Sequence, residues 1–509
     1  MAAVRRPHEQ AETLDSYSPA EEQFNRRRRT VGLVLGPAIF LLVLFMPTAL
    51  PPPAQRLAAI LVLMVTMWMT EALPLAVTAL LGPALAILLG VAPAATVFAP
   101  FADPIIFLFI GSFILAEAMF VHRLDRRLAF SALSSAWIGR SGFRLIAVYA
   151  SVTCLISMWM SNTATTAMLF PLGLAVLAEI GRGRRNDAAF GRFAMALMLV
   201  TSFAASIGGM ATPVGTPPNL LGKAFLQQAG VTISFAGWMV LAVPIVIVMM
   251  AFVFVWMVAP ASRGIVLGDE ARRTVRAELA KLGPMTRGER NVIFAFSLTA
   301  LLWIVPGLLL AVYGSGNAAV ARINALVPEP VAALVGALLL FVLPIQWRAR
   351  RFTMTWDEAA RIDWGIILLF GGGLAIGKLA DGTGLSAALG QWVTHQFPGI
   401  GTVGLTLVFT ALAIVISEAA SNTAAANIIL PTAIAVSKAA GVSPLEPALG
   451  VTLGASMGFM MPISTPPNAI VYSSGYIPIG AMIRQGIALD IAGYIIIVSA
   501  ILGFGWILK

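Results

Sequence analysis

The segments SMWMSNT at 157–163 and SEAASNT at 417–423 share Ser-Asn-Thr, and each is followed downstream by an identical quartet, TPPN at 216–219 and 465–468. Ser161 and Ser421 stand 260 residues apart, as do Gly111 and Gly371 in FIGSF and LFGGG. Pro171 and Pro431 each fall ten residues after their serine, while the two quartets are 249 apart because the second connection is shorter. All four motifs sit where an apolar segment is interrupted by Gly, Pro or Ser. Proline lacks a backbone N–H and clashes with the preceding turn, and glycine accepts unusual backbone angles, so the quartets predict broken helices. Unwound backbone at membrane depth must be buried in protein or line a cavity, which makes the doubled breaks a candidate site.

The 509 residues are 59% hydrophobic and 11% charged, with mean hydropathy +0.89. A soluble chain carries about 25% charged residues, so the main solvent here is lipid. Stretches such as Val31 to Leu50, Ala236 to Val258 and Gly486 to Trp506 are long enough for a hydrocarbon core of about 30 Å. The net charge of +10 is concentrated in short linkers: Arg123, Arg126 and Arg127; Arg182, Arg184 and Arg185; Arg348, Arg350 and Arg351; and a linker after Pro260 that includes Arg263, Arg272, Arg276, Lys281, Arg287 and Arg290. Placing all of them in the cytosol satisfies the positive-inside rule and puts the N-terminus, with its Arg26 to Arg29 run, in the cytosol as well. No basic soluble domain or aromatic platform accompanies this charge, so no nucleic-acid partner is expected.

With that orientation, spans are expected near 31–50, 56–70, 74–92, 103–121, 236–259, 291–313, 330–346, 363–380 and 486–507. Two further spans, one from about 191 and one through Met461, Pro462 and Thr465, are broken. The segments Phe143 to Glu179 and Thr402 to Ser437 read as re-entrant hairpins interrupted at their Ser-Asn-Thr triplets. The total is about 11 transmembrane helices plus two hairpins that enter from opposite sides, an all-α polytopic membrane protein built as an inverted repeat. Secondary transporters use this organisation, with discontinuous helices around a site near the bilayer midplane.

Each interruption can bind both signs of charge. The restarted helix presents free N–H groups and a positive dipole end to an anion. Before the break, free carbonyls with the hydroxyls of Ser157 and Ser161, or of Ser417 and Ser421, are hard oxygen ligands for a small cation. With Asn162, Thr163, Asn422 and Thr423, two such tips would grip the ends of a dicarboxylate or several oxygens of a tetrahedral oxyanion. Neither tip carries Lys or Arg, so bound cations must supply part of the attraction, which couples the two fluxes. In the quartets, Thr216, Pro217, Pro218 and Asn219, and Thr465, Pro467 and Asn468, are read as structural helix breaks, with Asn219 and Asn468 bracing the loops.

Glu71, Asp103, Glu117, Asp363, Lys378 and Glu418 lie in or near spans, where an ionisable group is costly. Several fall at helix ends, where capping or snorkelling accounts for them; Glu418, beside the second tip, is the best functional candidate. Cys154 is a lone small apolar filler. His8, His122 and His395 are scattered and form no metal site or triad. No nucleotide-binding pattern and no acid, base and nucleophile set accompanies the breaks, so neither direct ATP drive nor an enzyme is expected.

ISMWMSNTATTAMLFP from Ile156, GTPPN from Gly215, SEAASNTAAANIILP from Ser417 and STPPNAIVYSSG from Ser464 closely resemble the divalent anion/sodium symporter family, as do MWMTEALPL from Met67 and ILLFGGGLAIGK from Ile367. The resemblance covers roughly Thr66 to Pro478. It implies Na+ as coupling ion with no organic cofactor, bound at one site by Ser157, Ser161, Asn162 and the loop at Gly215, and at another by Ser417, Ala420, Asn422 and the loop at Ser464. The anion would lie between Asn162, Thr163, Ser421, Asn422, Thr423 and Pro466.

The resemblance further implies a homodimer in the inner (plasma) membrane whose hairpin-bearing part moves against a scaffold in an elevator-type cycle. On this basis 1–30 is a cytosolic tail, 31–102 and 236–346 are scaffold with the basic linker 261–290, 103–235 and 347–485 are the two transport halves, and 486–509 is a C-terminal helix. The expected substrate is a C4 dicarboxylate such as succinate, malate or fumarate, with sulfate symport or dicarboxylate exchange as alternatives. A non-transporting anion receptor is the reading from a different class.

Overall fold

The structure, a computed structural model, describes residues 19–182, 187–314 and 317–505. Arg184 and Arg185, His8 and most of the N-terminal tail lie outside the described residues. The fold is almost wholly helical, and ten described helices are long and apolar enough to cross a membrane. Leu75–Leu88, Gly142–Ser157 and Glu329–Val342 are shorter apolar helices.

Both triplets interrupt a helix pair. Gly142–Ser157 is followed by Asn162–Ile180, and Thr402–Ala419 by Asn422–Ala439. The quartets likewise separate Ala188–Gly209 from Pro217–Gln228, and Leu445–Gly454 from Pro466–Tyr472. Pro217 and Pro466 open their helices, where the missing N–H costs nothing because the first turn has no acceptor for it.

The repeats exchange partners. Pro104–Val121 packs on Glu329–Val342, and Trp364–Thr383 packs on Leu75–Leu88. Glycines permit both approaches: a Cβ at Gly111 would lie 2.6 Å from the Ala333 carbonyl carbon, and one at Gly372 would lie 2.2 Å from the Ala79 oxygen. Gly111 therefore reports helix contact, whereas its repeat mate Gly371 faces the Phe101 ring, a Cβ there lying 2.2 Å from Phe101 Cδ1.

Three of the basic segments meet at one end of the bundle. Arg127 reaches Glu289 at 2.5 Å and also donates to the carbonyls of Leu282 and Gly283, while His122 Nε2 lies 2.6 Å from the Thr353 oxygen. Arg28 pairs with Glu71 at 2.7 Å, joining the first two helices. Glu71 is thus an end-of-helix partner, and Asp103 and Asp363 accept the N–H groups of Ile105 and Ile366 as N-caps.

Several elements differ from the sequence reading. The first helix runs Pro19–Phe45, because its polar N-terminal turns project beyond the apolar part that hydropathy detects. Leu124–Leu133 and Leu385–Gln396 are additional helices next to spans, and Asp269–Lys281 is helical within the basic linker. A two-stranded hairpin pairs Pro344–Gln346 with Arg351–Phe352.

Candidate functional site

At the first break the Ser161 hydroxyl caps helix Asn162–Ile180 by accepting the Ala164 N–H at 3.2 Å. The Ser157 hydroxyl donates to Asn162 Oδ1 at 2.8 Å, so one carboxamide spans the interruption. Facing it is the last residue of Ala188–Gly209: a Cβ at Gly209 would lie 2.3 Å from Asn162 Oδ1. The chain then turns back through 210–216, where Thr212 donates its hydroxyl to the Met158 carbonyl. Gly215 fits between two carbonyls, since a Cβ there would be 2.5 Å from the Gly209 oxygen and 2.9 Å from the Met158 oxygen. Ser157 Oγ and Asn162 Oδ1 beside Gly209, and the Gly209 and Met158 carbonyls beside Gly215, are four neutral oxygens near the break. A carbonyl has two lone pairs, so accepting one hydrogen bond leaves it able to face a cation.

Asn219 makes most of the side-chain bonds to the loop, with Thr212 and with Trp238, whose Nε1–H donates to the Met210 carbonyl at 3.1 Å. Asn219 donates its amide to the carbonyls of Gly209 at 3.0 Å, Met210 at 3.3 Å and Thr212 at 2.8 Å. In the second repeat Asn468 donates to Gly458 at 2.9 Å and Met461 at 3.0 Å. Gly458 and Met461 follow Gly209 and Thr212 by 249 residues, the offset between the quartets, so the same two backbone positions are gripped twice. Ser421 caps Asn422–Ala439 through the Ala424 N–H at 3.4 Å, and Ser417 Oγ lies 2.7 Å from Asn422 Oδ1 and 2.7 Å from the Ala455 carbonyl.

The repeats differ in how they fasten the carbonyl before the break. Thr212 does so in the first. In the second, Ser464 Oγ sits 3.0 Å from the Glu418 carbonyl and 2.5 Å from its carboxylate, which also accepts the N–H groups of Phe459 at 2.6 Å and Met460 at 2.9 Å. Glu418, 3% accessible, is therefore engaged in organising the second loop.

The two cradles belong to one core. Helix Asn162–Ile180 packs on Pro466–Tyr472, and Asn422–Ala439 packs on Pro217–Gln228, so each hairpin lies against the other repeat's quartet helix. Across this crossing Ser202 donates to Asn468 Oδ1, and the rings of Phe203 and Phe459 meet edge to face at 5.1 Å. The model of the sodium:sulfate symporter transmembrane region matches residues 27–509. The chain belongs to this family.

Relatives of this symporter-family chain include the sodium-dependent dicarboxylate transporter SdcS of Staphylococcus saprophyticus, 34% identical over 485 residues that cover 92% of this chain and 90% of that protein. SdcS of Staphylococcus aureus strain USA300 is 33% identical over 479 residues, with the same coverage of each chain. Among solved structures, the Alcanivorax borkumensis YdaH transporter gives a TM-score of 0.54 at 15% identity, covering 90% of this chain and all of that one. Neisseria gonorrhoeae MtrF gives 0.53 at 13% identity, covering 91% and 96%. These two likenesses establish the fold. Family and relatives are those of a multi-pass membrane transporter, not of an enzyme.

In this family member the predicted residues do not share one environment. Asn162, Thr163, Ser421 and Asn422 are half-buried, Ser161 and Pro466 are exposed, and Thr423, Ala420, Gly215 and Ser464 are buried. Thr216 and Thr465 are buried at the quartet starts, and Thr465 Oγ1 has no hydrogen-bond partner. Sequence reasoning placed Gly209 at the first helix break but did not single out Thr212, the carbonyl of Ala455 or Gly458 as parts of the cradles. The 249-residue offset would have found the second glycine: applied to Gly209 it lands on Gly458.

Proposed function

We propose that this chain is a sodium-driven symporter that imports a C4 dicarboxylate, such as succinate, malate or fumarate, across the cell's inner (plasma) membrane, with its N-terminus in the cytosol. The observation that carries the reading is the twice-built cradle: Ser157, Asn162 and Gly209 in one repeat, Ser417, Asn422 and Gly458 in the other, each with neutral oxygens beside a restarted helix. The match to named sodium-dependent dicarboxylate transporters supports the substrate class.

One sodium ion is assigned to Ser157, Ser161, Asn162 and Gly215, and another to Ser417, Ala420, Asn422 and Ser464. The anion lies between Asn162, Thr163, Ser421, Asn422, Thr423 and Pro466. Asn162 and Asn422 belong to both sets, which gives coupling a physical route. With its Oδ1 toward the cation, each carboxamide leaves its N–H₂ for the anion, so an empty cation site leaves the donor misaimed and the anion without its counter-charge. The moving unit comprises the two hairpins and the two broken helices, working in a homodimer against a framework that includes Arg287–Tyr313 and Glu329–Val342. Sulfate is the second reading, favoured by the description of the matching family.

In proteoliposomes of the purified protein, an inward sodium gradient should accelerate labelled succinate entry relative to choline, and Asn162→Ala or Asn422→Ala should each reduce it. Equal uptake in sodium and choline with strong stimulation by internal dicarboxylate would replace symport with exchange. Sulfate uptake without succinate uptake would change the substrate. Binding of the anion without time-dependent accumulation would identify a receptor.

A further inference from the structure

Lys223 lies on Pro217–Gln228, one turn beyond the Asn219 that braces the first loop, and is only 7% accessible. Its Nζ sits 2.6 Å from Glu329 Oε2, while Glu329 Oε1 accepts the Phe235 N–H at 2.5 Å. Glu329 opens helix Glu329–Val342, where the positive dipole end favours its charge. Its own carbonyl accepts the Trp303 Nε1–H at 3.0 Å. Phe235 in turn stacks on Trp303 with ring centres 4.7 Å apart, and lies 6.2 Å from Trp159 at the first hairpin tip.

The two partners lie on helices with different main neighbours, although Trp364–Thr383 packs on both Pro217–Gln228 and Pro104–Val121. Pro217–Gln228 rests on Asn422–Ala439 and Leu445–Gly454, elements of the second cradle. Glu329–Val342 rests on Pro104–Val121 and Arg287–Tyr313. The pair is also one-sided: 249 residues on from Lys223 stands Tyr472, which is uncharged. In an inverted-repeat transporter the two end states exchange the roles of the repeats. A contact made by one repeat without a counterpart therefore stabilises one end state and not the other. Glu329 keeps 23% of its side chain accessible, but the Lys223 ammonium is buried, so once the helices separate it must either find another partner or open into water.

We infer that the Lys223–Glu329 pair is a latch that fastens the site-bearing helices to the framework in one end state and so sets the balance between the two. The inference rests on the alternating-access reading above, but its test reads position and not transport. In a Cys154→Ser background, paired spin labels at Gln228→Cys and Leu326→Cys, both exposed positions, report the separation of the two groups. Glu329→Gln keeps an acceptor for the Phe235 N–H and removes the charge; Lys223→Met with Glu329→Gln removes both charges at similar volume, so that a folded protein is obtained even where a single change leaves a bare charge.

Each should transfer weight from the native distance to a second one, changing the ratio of the two by about tenfold or more, equivalent to about 1.4 kcal/mol. An unchanged distance distribution in the folded double variant would overturn the latch. Shifted distances in a protein that shows no sodium-dependent uptake of succinate or sulfate would keep the latch and refute the transport reading instead.

Discussion

Alanine at Gly209 tests the first cradle directly, because the added methyl is carried by backbone and points at the group proposed to hold sodium. The Cβ would lie 2.3 Å from Asn162 Oδ1, against ordinary carbon–oxygen contacts of about 3.3 Å or more, so the carboxamide must yield by about 1 Å. Its movement disturbs the 2.8 Å hydrogen bond from Ser157. Overpacking of this kind costs about 1–3 kcal/mol, and if it falls on the sodium-competent geometry it raises the sodium concentration for half-maximal uptake by about 5- to 150-fold.

The matched position in the second repeat supplies the control. A Cβ at Gly458 would lie 3.1 Å from Asn422 Oδ1, close enough to need a shift of only a few tenths of an ångström. Gly458→Ala should therefore raise the same parameter by no more than about threefold, corresponding to less than about 1 kcal/mol. Succinate uptake into proteoliposomes across a sodium series gives the kinetic comparison, and sodium-dependent thermal stabilisation of each variant gives it independently of transport. If Gly209→Ala folds and keeps the native sodium dependence, or if Gly458→Ala is as severe, Asn162 Oδ1 is not a cation ligand in this geometry.

Gly208→Ala should behave differently from its neighbour, since its Cβ would meet the Cys154 carbonyl at 2.2 Å and force apart Gly142–Ser157 and Ala188–Gly209; a melting curve without sodium should show the loss, and a native melting temperature would refute this packing. Asp125, outside the spans on Leu124–Leu133, is 2% accessible, and burial raises its pKa from 3.8 to about 6 despite the opposing nearby Arg126. The folded chain then binds the extra proton between those values, so stability should fall as pH rises through that window and stay low above it. About two pKa units correspond to about 3 kcal/mol, and Asp125→Asn should flatten the dependence and raise the melting temperature at pH 7, an unchanged profile counting against the burial account.

The breaks were legible because they depend on local chemistry. Proline and glycine in an apolar run, followed by a capping serine, leave few alternatives to a helix that stops and restarts, and the repeat made each copy support the other. The ends of elements were less legible: the polar turns from Pro19 belong to the first helix, but composition separates them from it. The short helices Leu124–Leu133 and Leu385–Gln396 fall beneath any span-length signal. Contacts between distant segments carried no local mark at all. Nothing around Lys223 announces Glu329, 106 residues later, and nothing around Arg127 announces Glu289. Glu418 shows the limit of reading cost as function: an acid beside a tip is expensive, and the structure shows it spent on holding Phe459, Met460 and Ser464.

That use of Glu418 bears on how the repeats divide the work. Where Met158 stands in the first repeat the second has Glu418, and where Gly215 stands the second has Ser464. A buried carboxyl group with three donors resists rearrangement, because losing any of them leaves a buried polar group unpaired. The first loop is held by neutral bonds, from Thr212, Asn219 and Trp238, each of which is cheaper to break. The second cradle is therefore the stiffer of the two, and the first, bordered by Trp159 and by Lys223 with its one-sided partner, is the cradle whose geometry the framework can influence. If the two cradles are the proposed sodium sites, the stiffer one has the smaller ordering cost and should fill first.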